Sequence, residues 1–431
     1  MKISKNPNLT ATPTLDGCKF WKSRKKPNLT PIQFRCVSKL LNCINKFGRK
    51  HFTSRSSDTS STNPNMMIID SLPSLPFDLI TEILSRLPVK FLLQLRCVCK
   101  SWNSLISNHP NFAKKHLTHS TTYSICSLGF TYPGTLTIFP PNFFFDTTVS
   151  TNVNTLPYDS YNSYRGREIV GSCNGILCLA YMEFILLWNP SIRKIQELPL
   201  LPNPHYPIEM YISYAFGYHS VTDTYKVVVV SRNKSVKVNT LGTKIWKNID
   251  HFPFATLPDH KSGIYVSGTI NWLVSPDPST PPHFFVSLDL GNESYQKLLL
   301  PDYGEVDADF FSTLALGVFR DCLCTISRHE HCVWLMKEYG KKESWTKLFT
   351  ISFKQRPCMQ YSLNKVVYVF EDGQVLLQCK MPYVPTKLIL YDPRIATFEF
   401  VSFENSLVDN LDVSKYGGPE VCIESLISPC S

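Results

Sequence analysis

GSCNGILCLAYMEFILLWNPSIRKIQELP, residues 171–199, decides the architecture of the chain. An apolar strand carrying a glycine is followed by a second apolar strand, a polar turn and a Leu-Pro exit. Units of this build recur. The second starts near Tyr214 with YAFGYHSVTDTYKVVVV and runs to IWKNI; the third starts at Gly263 with GIYVSGTINWLV and continues in FFVSLDLGNESYQKLLLP. The fourth, from Leu314, reads LALGVFRDCLCTI and then VWLMKEYGKKESWTKLFTI, and the fifth, from Val366, reads VVYVFEDGQVLLQC and then LILYDPRIATFEFV. Their starts lie 43, 49, 51 and 52 residues apart. A period of roughly 40–50 residues, with about four strands in each unit, is the spacing of a β-propeller blade. One such sheet cannot bury both faces alone, so the units must stack, and loops at one rim then form a surface for recognition.

No Trp-Asp dipeptide occurs, and the only Gly-Gly pair, Gly417-Gly418, falls outside the units, so these are neither WD40 nor orthodox kelch repeats. An irregular β-sandwich of the same strands is the competing architecture. The chain of 431 residues is long enough for two or three domains with a well-buried core. Aromatic residues make up 13% and charged residues 18%, which suits sheets and binding surfaces. Only 18 glycines stand against 31 prolines, which favours short punctuated segments over nucleotide-cradling loops.

The net charge of +10 is unevenly placed. Residues 1–65 hold 13 Lys and Arg against Asp16 and Asp58, giving +11, so the remainder sums to −1. Basic character thus belongs to a tail, and a nucleic-acid-binding body is disfavoured. Residues 1–70, rich in Asn, Ser, Thr and Lys, have the composition of a disordered segment. Within it Lys22, Arg24, Lys25 and Lys26 suit nuclear import. Residues 1–20 lack the apolar run of a secretory signal, and the longest apolar runs, FILLW at 184–188 and VVVV at 227–230, are too short to span a bilayer. The 15 cysteines are scattered through apolar strands, as at Cys173, Cys178, Cys322 and Cys324. Reduced, packed thiols in a cytoplasmic or nuclear protein without a membrane partner are expected.

Ahead of the strands stands SLPFDLITEILSRLPVK, residues 74–90. Pro76 suits a first helical turn and Asp78 the positive end of a helix dipole. Leu79, Ile80, Ile83, Leu84 and Leu87 follow at helical spacing until Pro88. A second helix is expected through Phe91, Leu92, Leu93, Leu95, Val98 and Cys99, and a third short turn through Trp102, Leu105 and Ile106. Three helices this small carry more large apolar side chains than they can hide. The surplus must dock on the chain's own strands or on a partner.

The whole segment 75–117, with its Leu75-Pro76 opening, EILSRLPVK at 82–90 and RCVCKSW at 96–102, resembles an F-box. Phe91 and Gln94 replace the Ser and Arg more usual there. The strand segments GSCNGILCL at 171–179, LWNPSIRK at 187–194, AFGYHSVTDTYKVV at 215–228, VSGTINWL at 266–273 and VWLMKEYGKKESWTKLFTI at 333–351 resemble the plant F-box-associated, kelch-like interaction domain. The resemblance implies an α+β multi-domain chain, with a three-helix F-box followed by an all-β, propeller-like domain. It also implies the substrate receptor of a Skp–cullin–F-box ubiquitin ligase, a non-catalytic subunit without a cofactor. Its partners would be a Skp-type adaptor, cullin and RING subunits through that adaptor, and a target protein held by the strands. By the same resemblance Leu75, Pro76, Leu79, Ile83, Leu87, Pro88, Leu93, Val98 and Trp102 are the adaptor-facing residues. The expected divisions are a tail at 1–70, the F-box at 71–117, a connector or first irregular blade at 118–164, the strand domain at 165–405 and a carboxy-terminal tail at 406–431.

Other chemistry has thinner support. No G-x-S-x-G elbow, P-loop or H-E-x-x-H occurs. Asp307 and Asp309 would share one face of a strand, yet nothing else converges on them. Cys97-x-Cys99 is expected on a helix, where the two thiols diverge. Cys322-x-Cys324 on a strand, with His329, His331 and Cys332 nearby, lacks the C-x-x-C spacing of a zinc site, so no metal is expected. Asn189 in WNP and Asp392 in YDP suit strand-end turns in which the side chain bonds backbone. A basic tail gives weak, salt-sensitive nucleic-acid affinity, and an F-box chain can also act as a scaffold outside a ligase. Target contacts would fall on rim loops such as 201–210 and 275–283.

Overall fold

Among the described residues four short helices stand where three were expected, and prolines place them. The computed structural model describes residues 76–129, 135–139, 152–155, 168–181, 184–202, 213–254, 262–274, 284–305, 310, 314–327, 330–351, 362–381, 384–401 and 419–430. The tail expected at 1–70 lies outside them. Helix α1 (Phe77–Leu84) carries Asp78 in its first turn, and Pro88, in an extended conformation, separates it from α2 (Val89–Leu95). Helix α3 (Lys100–Asn108) is a full helix of nine residues, longer than the short turn expected around Trp102. Pro110 then does two things. It biases His109 away from helical geometry, ending α3, and it opens α4 (Pro110–His119), where its missing N–H costs nothing. The His109 ring nitrogen accepts from Phe112 N at 3.3 Å and so caps the new helix. Cys97 and Cys99, expected on a helix, lie instead in the exposed turn between α2 and α3.

Among the described residues six four-stranded antiparallel sheets follow. Strands β1 (Tyr123–Gly129), β2 (Thr135–Phe139) and β3 (Asn152–Thr155) come first in the chain, within the stretch expected as connector or first irregular blade. The five units read from the sequence are the next five sheets. They are β4 (Glu168–Cys173) to β7 (Lys194–Glu197), with β5 (Ile176–Tyr181) and β6 (Phe184–Asn189) between them; β8 (Ser213–His219), β9 (Thr224–Val230), β10 (Val236–Thr240) and β11 (Lys247–Ile249); β12 (Ile264–Val266), β13 (Thr269–Val274), β14 (Phe284–Asp289) and β15 (Tyr295–Leu299); β16 (Leu314–Phe319), β17 (Cys322–Ser327), β18 (Cys332–Met336) and β19 (Trp345–Thr350); and β20 (Ser362–Val369), β21 (Val375–Met381), β22 (Val384–Asp392) and β23 (Thr397–Phe400).

Residues 406–431 were expected as a tail, but β24 (Glu420–Ile423) pairs with β1, so the end of the chain completes the sheet that the beginning opens. The inner strands β4, β8, β12, β16, β20 and β24 are neighbours in turn, and β24 returns to β4, closing the ring. The apolar cores lie between sheets, not within one. Trp272, Val286 and Val228 fill one seam, Leu377, Ile326 and Val333 another, and Cys126, Leu177 and Trp188 a third. A period-2 strand buries both faces only when a neighbour covers each, which explains the unbroken apolar runs such as VVVV.

The segment after β24 is held by polar groups that the sequence places far away. The Asn189 amide, fully buried, donates to the Ser425 carbonyl at 3.1 Å and the Ile427 carbonyl at 2.7 Å. Its Oδ1 accepts from Ser191 N at 2.9 Å, the strand-end turn expected for WNP. Ser425 Oγ donates to the Asn174 carbonyl at 2.7 Å. Gly175, at φ +82, lets this segment pass, since a Cβ there would sit 2.3 Å from Ser425 Oγ. From Phe77 onward the helices and sheets form one unit.

Asn189→Ala should lower unfolding free energy by about 1–3 kcal/mol, because it strands buried carbonyls of the carboxy-terminal segment. Urea denaturation measures this, and an unchanged midpoint would show that the segment is held by packing alone.

Candidate functional site

The helical unit has an inner side that is satisfied and an outer side that is not. On the inner side Leu84, Leu92, Leu105, Ile106 and Phe112 are buried together with Val89 and Ala113. His116 of α4 is 2% exposed, and its Nε2–H donates to the Leu87 carbonyl at 2.9 Å. Its Nδ1 has no partner. Burial, helped by the nearby charge of His119, holds this imidazole below its ordinary value and neutral, against the pull of the Leu87 bond.

Charge ties α1 to α4. The Glu82 carboxylate meets Lys115 at 2.6 Å, Arg86 at 2.5 Å and His119 at 3.8 Å. The hydrogen bond from Lys115, and then that from Arg86, lowers its pKa to about 2. Helix α4 in turn rests on the strand domain. Lys114 pairs with Asp223 in the β8–β9 turn, and Ser120 Oγ donates to the Glu424 carbonyl at 2.8 Å. Burial raises the Glu424 carboxyl, opposed by the nearby charge of Lys90 and by the Val89 backbone. The segment after β24 therefore touches both the sheet ring and the end of α4.

The outer side carries the apolar residues that none of this uses. Leu79 is 51% exposed, Phe77 49% and Val98 38%. Of the nine residues expected to face an adaptor, Pro76, Leu79 and Val98 are exposed and Ile83, Pro88 and Leu93 are half-buried. Leu87 and Trp102 are buried in the helical core at 3% and 7% exposure, so they support the outer face from behind instead of forming it. Leu75 lies outside the described residues. Phe77 belongs to the exposed set and was not singled out in the sequence, although its place one residue after Pro76 gave the signal. Glu424 gave none, because its helix partner lies more than 300 residues away.

The alternative sites gather little. Asp307, Asp309 and His329 lie outside the described residues. Cys324 is fully buried and its thiol is pushed up to about 12 by burial, which makes it inert packing. Cys322 is half-buried, and among the described residues no three His, Cys, Asp or Glu side chains gather as metal ligands do. Asp392 accepts from Arg394 N at 2.9 Å, the turn expected of it. No helix among the described residues is long and apolar enough to cross a membrane.

The profile of the F-box domain matches residues 72–114, and that of the F-box associated beta propeller domain matches residues 139–416. In Arabidopsis thaliana, F-box/kelch-repeat protein At3g23880 is 32% identical over 327 residues, 71% of this chain and 88% of that one. F-box protein At3g07870 is 27% identical over 385 residues, covering 77% of this chain and 88% of its own length. F-box protein CPR1 is 27% identical over 397 residues, covering 83% and 90%.

His116 gives the helical unit a pH limit. Its folded pKa is depressed from the ordinary 6.5, so its share of stability is present above pH 6.5 and is lost as pH falls towards the folded value. His116→Gln, which keeps an N–H for Leu87, should remove a slope of at most about 1.4 kcal/mol per pH unit. Paired denaturation series between pH 7.5 and 5.5 measure it; parallel curves for the two proteins would contradict the assignment.

Proposed function

Because the chain belongs to the F-box proteins that carry an F-box-associated β-propeller domain, we propose that it is the substrate receptor of a Skp–cullin–F-box ubiquitin ligase. The exposure of Leu79, Phe77 and Val98 on a helical unit whose inner apolar side chains are buried carries this proposal. A Skp-type adaptor covers that face, and cullin and RING subunits follow through the adaptor. The mechanism is proximity. The strand domain holds a target protein near a ubiquitin-charged enzyme, so that attack by a target lysine becomes effectively intramolecular. No side chain of this chain performs chemistry, and the setting is the cytoplasm or the nucleus.

Topology supports a division of faces. Helix α4 rests against the β8–β9 turn and the end of β24, the end of the inner strands where they turn back into their sheets. The connections from one sheet to the next, including the one through 201–210, and the β13–β14 connection at 275–283 leave from the opposite ends of the strands. Target capture there keeps ligase and target from competing for one surface. Residues 203–210 and 275–283 themselves lie outside the described residues.

Co-purification of the full chain with a Skp-type adaptor tests the proposal. Leu79→Asp should weaken the complex by about 2–4 kcal/mol while leaving the melting temperature of the free chain unchanged. Trp102→Ala should instead lower the stability of the free chain by about 3–5 kcal/mol, with adaptor binding falling as a consequence. A wild-type chain that ignores the adaptor, or Leu79→Asp recovered undiminished, would sink the proposal.

A further inference from the structure

On a helix the thiols of Cys97 and Cys99 would diverge. In the turn that joins α2 to α3 nothing forces them apart. The N–H groups of Cys97 and Val98 still donate to the Gln94 and Leu95 carbonyls, at 3.3 and 3.1 Å, as a last turn of α2. The backbone then bends at Val98, and Cys99 is extended (φ −159, ψ 166) at the start of α3, its side chain making no cap hydrogen bond. Second neighbours in a chain lie at most about 7 Å apart when the backbone is straight. A bend between them shortens this into the range of about 4.4–6.8 Å that a disulfide spans between Cα atoms.

Exposure sets this pair apart from the other thiols. Cys97, Val98 and Cys99 are all exposed, and so are Arg96 and Lys100 on either side. Most of the described cysteines are buried, and burial pushes the Cys324 and Cys379 thiols up to about 12, away from reaction. Cys430 is exposed but stands alone, its thiol donating to the Ile195 carbonyl at 3.3 Å. Among the described residues, this turn is where two neighbouring thiols meet solvent together. Val98 between them is one of the three apolar residues exposed on the outer side of the helical unit.

We propose that Cys97 and Cys99 are a thiol-modification site, closed to a disulfide by a small anionic disulfide of the glutathione type, and that closure weakens the hold on the adaptor. The second half of this proposal rests on the reading of the outer face as the adaptor's. One cysteine thiolate attacks a sulfur of the reagent, whose S–S bond breaks and releases one glutathione thiolate. The other cysteine then attacks the mixed disulfide and expels the second. Two protein thiols lose two protons and two electrons, the reagent's disulfide gains them, and two glutathione thiols leave. Carboxylates outnumber amines in that reagent, so Arg96 and Lys100 draw it to the turn. The new bond pulls the two Cβ atoms to about 3.8 Å and fixes the backbone on both sides of Val98. Val98 then no longer shares a surface with Leu79 and Phe77 in the arrangement a partner would meet. An adaptor already seated there covers the thiols, so the modification acts on the free chain.

The full chain, equilibrated in buffers of stepped reduced-to-oxidised glutathione ratio, is mapped by peptide mass spectrometry and assayed for binding to a Skp-type adaptor. The expected map shows a Cys97–Cys99 bridge, read as a peptide two hydrogen atoms lighter. Cys97→Ser and Cys99→Ser should each retain one glutathione at the remaining thiol instead. Adaptor affinity should fall at least about tenfold as the bridge forms and return with dithiothreitol. In the double variant Cys97→Ser/Cys99→Ser the affinity should not change with the ratio. No bridge between these residues at any ratio would overturn the thiol chemistry. A bridge that leaves adaptor affinity unchanged, or a double variant that responds as the wild type does, would overturn the coupling. A reduced chain that ignores the adaptor would overturn the receptor reading and the coupling with it, while the peptide map reads the bridge by itself.

Discussion

Everything in this molecule depends on the pairing of β24 with β1. Tyr123 stands opposite Ile423 and Cys126 opposite Glu420, two segments separated by nearly 300 residues. Without that ladder the first sheet has no inner strand, the ring of inner strands is open between β20 and β4, and the seam around Cys126, Trp188 and Cys422 loses one wall. Closing a ring removes sheet edges that would otherwise pair with other chains. Here the closing strand does more. Its continuation at Glu424 accepts from the hydroxyl of Ser120 at the end of α4, so the closure that completes the propeller also ties the helices to it.

The helical unit shows how a small domain is divided between self-support and presentation. Its charged residues link its helices to each other and to the strands: Glu82 gathers Lys115, Arg86 and His119, and Lys114 reaches Asp223. These are largely exposed pairs, and such pairs contribute little each. Burial of Leu84, Leu92, Phe112 and Trp102 does most of the stabilising. The apolar residues left over are on the outer side, where their exposure to water is unfavourable. This separation is why Leu79 and Trp102, both drawn from one motif, should respond differently to substitution.

Much of this was legible in the sequence, for physical reasons. The five units from Gly171 onward were readable because the apolar strands, glycines and Leu-Pro exits repeat at a spacing that a four-stranded sheet imposes. Pro88 fixed the break between α1 and α2. The Asn189 and Asp392 turns were readable because a short side-chain acceptor bonds backbone two residues on. The fourth helix was missed because Pro110 was taken only as a stop, although proline both ends one helix and begins another. Resemblance to the F-box puts Leu87 and Trp102 in the adaptor-facing set, and a motif does not say which of its side chains the unit's own helices cover, as they cover these two.

The sequence by itself determined the two kinds of structure in this chain, their order and the repeat that builds the second, because these follow from periodicity and punctuation over stretches of a few dozen residues. Only the tertiary structure decided that the six described sheets close into a ring, that residues 420–430 are a strand and a clasp instead of a tail, and which apolar residues of the helices stay uncovered. Each of these rests on contacts between residues far apart in the chain, and no local pattern encodes a partner that is brought near only by folding.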